Sequence, residues 1–126
     1  QILKLESFLK VHHLTSVIRG KLKKDKNWID LLRACWPGGS ITGAPKLRSC
    51  QRLFEIEQCA RGPYCGSFIK IDWNGEFDSN ILIRSFIVKN KKINIHAGCG
   101  IVSDSNPEEE TKELKWKILP LIDSLK

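Results

Sequence analysis

Two glutamates near the C-terminal end of the chain have a spacing that would suit a metal site. Glu110 and Glu113 are three residues apart, and Lys117 follows four residues later. On a helix, this spacing places the three side chains on one face. Neighbouring carboxylates repel unless a cation lies between them, and oxygen ligands suit a hard ion such as Mg²⁺. The same pattern is also typical of an exposed helix with an incidental Glu–Lys pair, so the spacing leaves both interpretations open.

A glycine-rich segment, residues 37–46, has the composition of an anion-binding loop. It reads Pro-Gly-Gly-Ser-Ile-Thr-Gly-Ala-Pro-Lys and carries the hydroxyls of Ser40 and Thr42. Glycine allows a ligand to approach the backbone closely. Pro45 has its φ preset for the start of a helix, whose open amides attract anions. The segment therefore predicts a small anionic ligand, although the P-loop spacing is absent.

A single arginine lies in an apolar run that predicts a β-strand. Arg84 is flanked by Ile-Leu-Ile before it and by Ser-Phe after it. Its guanidinium cannot lose its charge and is built for bidentate contact with a carboxylate. Arg84 therefore requires an anion, which is either a structural carboxylate or a ligand.

Two ring side chains, Tyr64 and one of a histidine pair, are further candidates. Tyr64 begins a predicted strand and is the only tyrosine of the chain. The alternative interpretation of Tyr64 is a half-buried core ring whose hydroxyl is hydrated. His12 and His13 point to opposite faces of a predicted strand, so that one of them faces inward. The alternative for the inward histidine is a hydrogen-bonded core residue.

Residues 98–100, Gly-Cys-Gly, interrupt two strand-like runs. Glycine within a strand pattern indicates a bulge or a close approach of the backbone to another group. The amides of such a segment could bind an anion. The five cysteines of the chain form no Cys-x-x-Cys pair. We therefore expect reduced, buried core cysteines, and no disulfide framework or zinc site.

The elements that must position these residues are helices and antiparallel strands. Alternating apolar residues predict strands, and three- and four-residue apolar steps predict helices. The last helix is predicted to begin with the cap Asn106 and to end near Leu119, before Pro120. Asn74–Gly75 and Asn90–Lys91 predict hairpin turns. The predicted strands are 1–10, 11–18, 64–72, 76–88 and 93–97, and the predicted helices are 28–35, 44–59 and 106–119.

Composition sets bounds on the class of protein. The 126 residues are 41% hydrophobic and 28% charged, as in one globular domain, and no apolar run could cross a membrane. The net charge of +7 raises the alternative of a basic, non-catalytic binding module. The basic runs 21–26 and 89–92, however, lie in predicted turns without interleaved aromatic residues. We therefore expect no nucleic-acid partner, no membrane partner and a cytoplasmic location.

Taken in order, these motifs resemble the chorismate-utilising enzymes, which include anthranilate synthase component I, aminodeoxychorismate synthase component I, isochorismate synthases and salicylate synthases. The resemblance runs over residues 1–126. Within the family, the loop at 37–46 together with Asp78-Ser-Asn-Ile looks like the aminodeoxychorismate branch, and the anthranilate branch is the alternative. The segments that carry the resemblance are 11–16, 37–46, 61–66, 78–84 and 97–108.

The resemblance implies a role for each matching position. Tyr64 and Arg84 match residues that hold a carboxylate of chorismate. Glu113, helped by Glu110, matches the residue that coordinates Mg²⁺, and Lys117 matches a lysine near the ring carboxylate. The remaining matches are His13, near the reacting ring, and Ser40, Thr42, Gly98, Cys99 and Gly100, against the ligand.

The resemblance also implies an architecture and a reaction. The fold is α+β, part of a four-layer α/β/β/α sandwich with mostly antiparallel sheets. The reaction replaces the ring 4-hydroxyl of chorismate with ammonia from a glutamine amidotransferase partner, on the folate route. The nucleophilic lysine segment of that branch, an upstream metal-binding glutamate and the N-terminal part of the domain are not in this sequence. We therefore expect the chain to be the C-terminal portion of the domain and to be inactive alone.

Overall fold

The computed structural model describes residues 2–7 and 12–126. Along these residues, two strands are followed by three helices, four strands and a final helix. The chain divides into two units, Gln1–Ala34 and Cys35–Lys126. The described strands pair as three separate two-stranded antiparallel sheets. This arrangement confirms the predicted α+β class. The elements are β1 (Lys4–Ser7), β2 (His12–Thr15), α1 (Trp28–Cys35), α2 (Gly39–Thr42), α3 (Lys46–Ile56), β3 (Ser67–Ile71), β4 (Phe77–Ile81), β5 (Phe86–Lys89), β6 (Lys92–Ile95) and α4 (Pro107–Asp123).

The first unit contains the β1–β2 hairpin, which is shorter than predicted. Lys4 pairs with Thr15 at one end of the ladder. Beyond it, the Leu3 amide donates to the Ser16 hydroxyl (3.0 Å), so a side chain replaces the next ladder bond. Residues 1 and 8–11 of the two predicted strands lie outside the described residues. His13 is half-buried and His12 is exposed, as the opposite faces of a strand require.

Helix α1 has the predicted bounds, and its cap is Asn27. The Asn27 Oδ1 atom accepts hydrogen bonds from the amides of Ile29 (2.8 Å) and Asp30 (3.3 Å). Asp30 Oδ2 accepts in return from the Asn27 amide (3.1 Å). These reciprocal bonds satisfy amides that the first helical turn leaves open.

The second unit begins with the glycine-rich segment, part of which is helical. A short helix, α2, occupies positions predicted as loop. Helix α3 begins at Lys46 and ends at Ile56, whereas residues 44–59 were predicted to be helical. Pro45 lies at the N-cap with extended backbone (ψ 137°), so it precedes the first turn. At the other end Glu57 is also extended (ψ 119°), and this conformation stops the helix before Gln58.

Both predicted hairpin turns are present. Around Asn74–Gly75, the Asp72 amide donates to the Glu76 carbonyl (2.9 Å), and Gly75 has φ +88°. The loop therefore has three residues, with glycine in the position that needs positive φ. Asn90 and Lys91 both have positive φ (52° and 60°). They form the two-residue loop between β5 and β6, where positive φ at both positions matches the strand twist.

The prediction of one continuous strand over residues 76–88 is wrong, because strand β4 ends at Ile81. Arg84 has φ +51°, which interrupts an extended strand. Local bonds replace the ladder: the Ile83 amide donates to the Ile81 carbonyl (2.9 Å), and the Ser85 hydroxyl donates to the Ile83 carbonyl (3.0 Å). Four strands, β3 to β6, therefore take the place of the three predicted. The break also removes Arg84 from the strand in which it was predicted.

Helix α4 begins as predicted but continues past its proline. Asn106 Oδ1 accepts from the amides of Glu108 (2.9 Å) and Glu109 (3.3 Å), and Pro107 opens the first turn. Pro120 was predicted to end the helix, but α4 reaches Asp123. The Ser124 amide still donates to the Pro120 carbonyl (3.1 Å), so the proline removes one donor without stopping the last turn. Among the described residues, no helix is long and apolar enough to span a membrane.

Side chains in the described part of the chain are half-buried or exposed, and none is fully buried. Large apolar groups face solvent, including Phe54 (88% exposed), Ile18 (93%) and Trp73 (108%). The five cysteines are free, as predicted, but Cys35 and Cys59 are exposed and the other three are only half-buried. The prediction of buried core cysteines is therefore wrong, because the described residues enclose no core that could bury them.

Candidate functional site

A cavity of about 420 Å³ lies in the second unit. Its wall combines α2, the end of α3, the turn before β3, the break after β4, the segment after β6, and α4. Much of the wall is polar or glycine, which suits a ligand that carries charge. The lining residues are Ser40, Ile41, Leu53, Glu57, Arg61, Tyr64, Cys65, Ile83, Arg84, His96, Ala97, Gly98, Cys99, Gly100, Ile101, Lys117 and Leu121. Those among them that the sequence predicted as site residues are Ser40, Tyr64, Arg84, Gly98, Cys99, Gly100 and Lys117.

Tyr64 is held by the turn that precedes β3. The Gly66 amide donates to the Pro63 carbonyl (2.8 Å), and Cys65 has φ +63°, so the chain reverses at this point. The Tyr64 ring stacks on His96, with centroids 5.5 Å apart and planes 20° apart. Burial raises the pKa of Tyr64 to about 12, and Cys65 adds to the shift. Tyr64 is therefore a neutral phenol near pH 7 and can donate a hydrogen bond.

Gly98 is the close backbone approach that the sequence predicted. A Cβ atom at Gly98 would lie 2.9 Å from the hydroxyl oxygen of Tyr64, closer than a real Cβ contact. The glycine therefore gives the phenol end of Tyr64 the space it occupies. The Gly98 carbonyl accepts a hydrogen bond from Lys117 Nζ (3.1 Å), which joins this segment to α4.

Glu57 and Arg61 form a two-point ion pair at the cavity wall. Arg61 Nε donates to Glu57 Oε2 (2.7 Å), and Arg61 Nη2 donates to Glu57 Oε1 (2.5 Å). Both side chains are only about a third exposed or less (26% and 34%). The hydrogen bond from Arg61 lowers the pKa of Glu57, and the bond to Glu57 raises the pKa of Arg61. The guanidinium carbon lies 5.9 Å from the centre of the Tyr64 ring.

Arg84 lies in the break between β4 and β5, where its side chain is exposed and lines the cavity. The eight ion pairs among the described residues include Arg52, Arg61 and several lysines but not Arg84. Of the two anions that the sequence left open, a structural carboxylate is therefore not found among the described residues. The guanidinium is available to an anion in the cavity.

Glu110, Glu113 and Cys99 form a group whose ligand atoms lie within 4.8 Å of one another. Ser105 Oγ donates to Glu110 Oε1 (2.7 Å), which fixes the first carboxylate. Lys117 Nζ lies 2.6 Å from Glu113 Oε1 and neutralises the charge of this second carboxylate. Two carboxylates at this spacing fit the oxygen preference of a hard divalent cation. Burial raises the pKa of the Cys99 thiol, which donates to the Glu110 backbone carbonyl (3.3 Å).

Four predicted site residues are not part of this cavity lining. Two of them, Glu110 and Glu113, adjoin the cavity through Cys99 and Lys117, which line it. Thr42 borders a second cavity of about 540 Å³, formed along α3 and the turn that follows it. His13 belongs to the first unit, on β2. A place for His13 near the ligand stays a prediction.

Among the cavity residues that the sequence did not predict, Glu57, Arg61 and His96 carry charged or imidazole side chains. A four-residue Glu–Arg spacing was a usable signal for the first two. It was hidden because residues 57–61 follow the end of α3 and are not helical. His96 follows β6 directly, and the contact with Tyr64 joins two loops that are distant in sequence.

Comparisons with known proteins show which family the chain is similar to. The profile of the family described as chorismate binding enzyme matches residues 1–123. The chain is 45% identical over 116 residues to the chloroplastic aminodeoxychorismate synthase of Arabidopsis thaliana. It is 46% identical over 110 residues to anthranilate synthase component 1 of Bacillus subtilis strain 168. The crystal structure of anthranilate synthase component I from Streptococcus pneumoniae TIGR4 matches with a TM-score of 0.89 at 37% identity.

The chain spans only a part of each of these proteins. The alignments cover 92%, 87% and 96% of this chain, but 13%, 21% and 28% of the Arabidopsis, Bacillus and Streptococcus chains. Similarity to the two kinds of synthase is nearly equal, so it does not separate them. The family profile, in contrast, matches almost every residue. This chain belongs to the chorismate-binding enzyme family.

Proposed function

We propose that the chain forms one side of the active site of an enzyme that aminates chorismate. Within that class we favour aminodeoxychorismate synthase component I, which would produce 4-amino-4-deoxychorismate on the folate route. The chain would be the C-terminal portion of a four-layer α/β/β/α domain, and the remainder of the domain would complete the site.

The observation that carries this proposal is the convergence of Tyr64, Arg84 and Lys117 on one cavity, beside two carboxylates. Chorismate has two carboxylates, so its site needs cationic and neutral donors at separated points. Arg84 is a guanidinium without an ion-pair partner among the described residues, and Tyr64 is a neutral donor. These two would bind one carboxylate of the substrate, since a guanidinium suits bidentate contact.

Glu110 and Glu113 would hold Mg²⁺, with Ser105 keeping Glu110 in place. When bound, the ion would neutralise the ring carboxylate of the substrate and so favour loss of the ring hydroxyl. Lys117 lies between this pair and the backbone of Gly98, where its ammonium can contact the same carboxylate. Ser40 and residues 98–100 would contact the ligand from the cavity wall. The role of His13 near the reacting ring stays a prediction from the sequence.

The nitrogen source would be ammonia from a glutamine amidotransferase subunit or domain. Support comes from the relatives, several of which are named as component 1 of a synthase and so have a second component.

Anthranilate synthase component I is the second candidate. It is favoured by the 46% identity to the Bacillus subtilis enzyme and by the TM-score of 0.89 to the Streptococcus structure. The two activities differ in product, because the anthranilate route also eliminates pyruvate. Incubation of the full-length protein with chorismate, ammonia and Mg²⁺, followed by identification of the product, separates them.

The proposed site is tested with Arg84→Ala and Glu113→Gln in the full-length protein. We expect each variant to lose activity by about a hundredfold or more, since each loses a charged contact to substrate or metal. Arg52→Ala is the control, because Arg52 is an exposed arginine on α3 outside the cavity. Near-normal turnover in Arg84→Ala or Glu113→Gln would contradict the proposed roles.

A further inference from the structure

We propose that the Glu57–Arg61 ion pair holds the Tyr64 ring in its working orientation, and that Arg61 acts through Tyr64 rather than by binding the ligand. This inference rests on the proposed function, because it assigns positioning residues within the chorismate site. Arg61 would fix the ring from the protein side, and the phenol would present its hydroxyl to a substrate carboxylate.

The position of the guanidinium supports this role. Two of its nitrogen atoms are bonded to Glu57, which fixes its plane and direction. Its central carbon lies within cation–π range of the Tyr64 ring, at 5.9 Å. Such contacts change an equilibrium by roughly 2- to 30-fold, more when desolvated. The low exposure of the Arg61 side chain (26%) favours the contact, whereas the distance of 5.9 Å is near its outer limit.

The charges around the cavity argue against a direct role for Arg61 in binding an anion. Glu57 neutralises Arg61 through both of its oxygens, and Glu113 neutralises Lys117. Among the described residues of the cavity wall, Arg84 is the cation without such a pair. An anionic ligand would therefore meet the field of Arg84 first, and Arg61 would contribute through the ring.

Tyr64 needs this support because few other contacts fix its ring. The ring stacks on His96 and ends against Gly98, where there is no side chain to clamp it. The backbone turns at Cys65, so the ring projects from a reversal of the chain instead of a continuous strand. Without Arg61, the ring would keep its stack on His96 but lose the cation that faces it, and the phenol would sample a wider range of directions.

A double-mutant cycle on the full-length protein separates positioning from direct binding. Chorismate affinity is measured with Mg²⁺ present in the parent, in Arg61→Met, in Tyr64→Leu and in the combination. We expect Arg61→Met to weaken binding by roughly 2- to 30-fold in the parent. In the Tyr64→Leu background the same change should have almost no effect. An equal loss in both backgrounds would overturn the proposal, because it would show a direct contact between Arg61 and the ligand.

Arg52→Met is the matched control for this cycle. Arg52 lies on α3 and, like Arg61, pairs with a glutamate (Arg52 Nη1 to Glu55 Oε2, 2.7 Å). Unlike Arg61, it is exposed and lies outside the cavity. We expect its affinity for chorismate to equal that of the parent. If Arg61→Met does not fold, Arg61→Lys replaces it. Arg61→Lys keeps the charge but loses the two-point pair with Glu57. We therefore expect a smaller loss of chorismate affinity, which should again disappear in the Tyr64→Leu background.

A second measurement needs no ligand. Fluorotyrosine is incorporated into the full-length protein, and the fluorine resonance that disappears in Tyr64→Phe is followed during a pH titration. The groups that face Tyr64 are Arg61, Cys65, Cys99 and His96. Of these, Arg61 stabilises the tyrosinate, so Arg61→Met should raise the pKa of Tyr64 and Arg52→Met should leave it unchanged. An unchanged pKa in folded Arg61→Met would overturn the proposal.

The two measurements also separate this proposal from the proposed function. A parent protein that fails to bind chorismate would refute the function. The fluorine titration would still decide whether Arg61 holds the Tyr64 ring.

Discussion

Of the two glycines that line the cavity, Gly98 is the one that leaves no room for a side chain. A Cβ atom there would meet the Tyr64 hydroxyl at 2.9 Å, so the ring must tilt to accept any side chain. We expect Gly98→Ala to lower kcat/KM for chorismate by about 10- to 100-fold, because small displacements of a binding group are costly. In a Tyr64→Phe background, which lacks the clashing oxygen, Gly98→Ala should lower kcat/KM only slightly further.

The control for this prediction is Gly20→Ala, since Gly20 has open space at the corresponding position and lies outside the cavity. It should behave as the parent. Equal losses from Gly98→Ala in the parent and in Tyr64→Phe would show that the clash involves another group.

Tyr64 also gives the protein a specific response to alkaline pH. Its pKa is about 12 when folded, whereas an unfolded tyrosine has a pKa of about 10. Between these values the unfolded chain has lost a proton that the folded chain retains, so the free energy of unfolding falls as pH rises. Urea unfolding at several pH values should show a steeper decline in the parent than in Tyr64→Phe. Parallel curves would contradict the shift.

The sequence predicted many residues of the cavity because their chemistry is visible in their types. An arginine in an apolar run, a lone tyrosine beside glycines and paired glutamates each require partners. The Glu57–Arg61 pair was not predicted, because the predicted helix ended at residue 59 and left Arg61 outside it, so that no helical spacing joined the two residues. His96 was missed for a similar reason: its importance comes from stacking on a ring that lies far away in sequence.

At the scale of elements, the cap of α4 positions the two glutamates that we propose as metal ligands. Asn106 satisfies two amides of the first turn, and Glu110, Glu113 and Lys117 follow within the next turns. We expect Asn106→Ala to lower the free energy of unfolding by about 1 kcal/mol and to weaken Mg²⁺ binding measured by calorimetry. Fraying of the first turn would loosen Glu110 most.

Asn27→Ala is the matched control, because Asn27 caps α1 by the same contacts. It should cost similar stability and leave Mg²⁺ binding unchanged. A loss of Mg²⁺ affinity of the same size in both variants would mean that general destabilisation, not helix α4, is responsible.

Elements with local signals were predicted well, and those set by other contacts were not. The cap residue Asn106 and the turn residues placed the start of α4 and both hairpin turns, and the spacing of apolar residues placed α1. The break at Arg84 could not be read from Ile-Leu-Ile-Arg-Ser-Phe, which has the composition of a continuous strand. The continuation of α4 past Pro120 was missed as well, since one lost hydrogen bond near a helix end can be tolerated.

At the scale of the whole molecule, the notable property is the amount of apolar surface already in contact with water. The described residues include exposed Phe54, Ile56, Trp73 and Trp116. Unfolding the 126-residue chain expressed alone would therefore expose little additional surface. We expect a urea m-value near or below about 1 kcal/mol/M, the low end for small proteins, and no turnover of chorismate. A steep, cooperative transition in the isolated chain would contradict this expectation.

The left-handed backbone at Arg84 has a consequence for how this position could change during evolution. A β-branched residue there would conflict with φ +51° before any question of charge arose, whereas asparagine or glycine would fit the backbone and lose only the guanidinium. Two requirements would therefore act on a randomised library at position 84. The residue must first accept the left-handed backbone, and it must then bind the anionic ligand. The valine variant would lose activity because its backbone is strained. The asparagine variant would stay folded and would lose activity because it lacks the guanidinium.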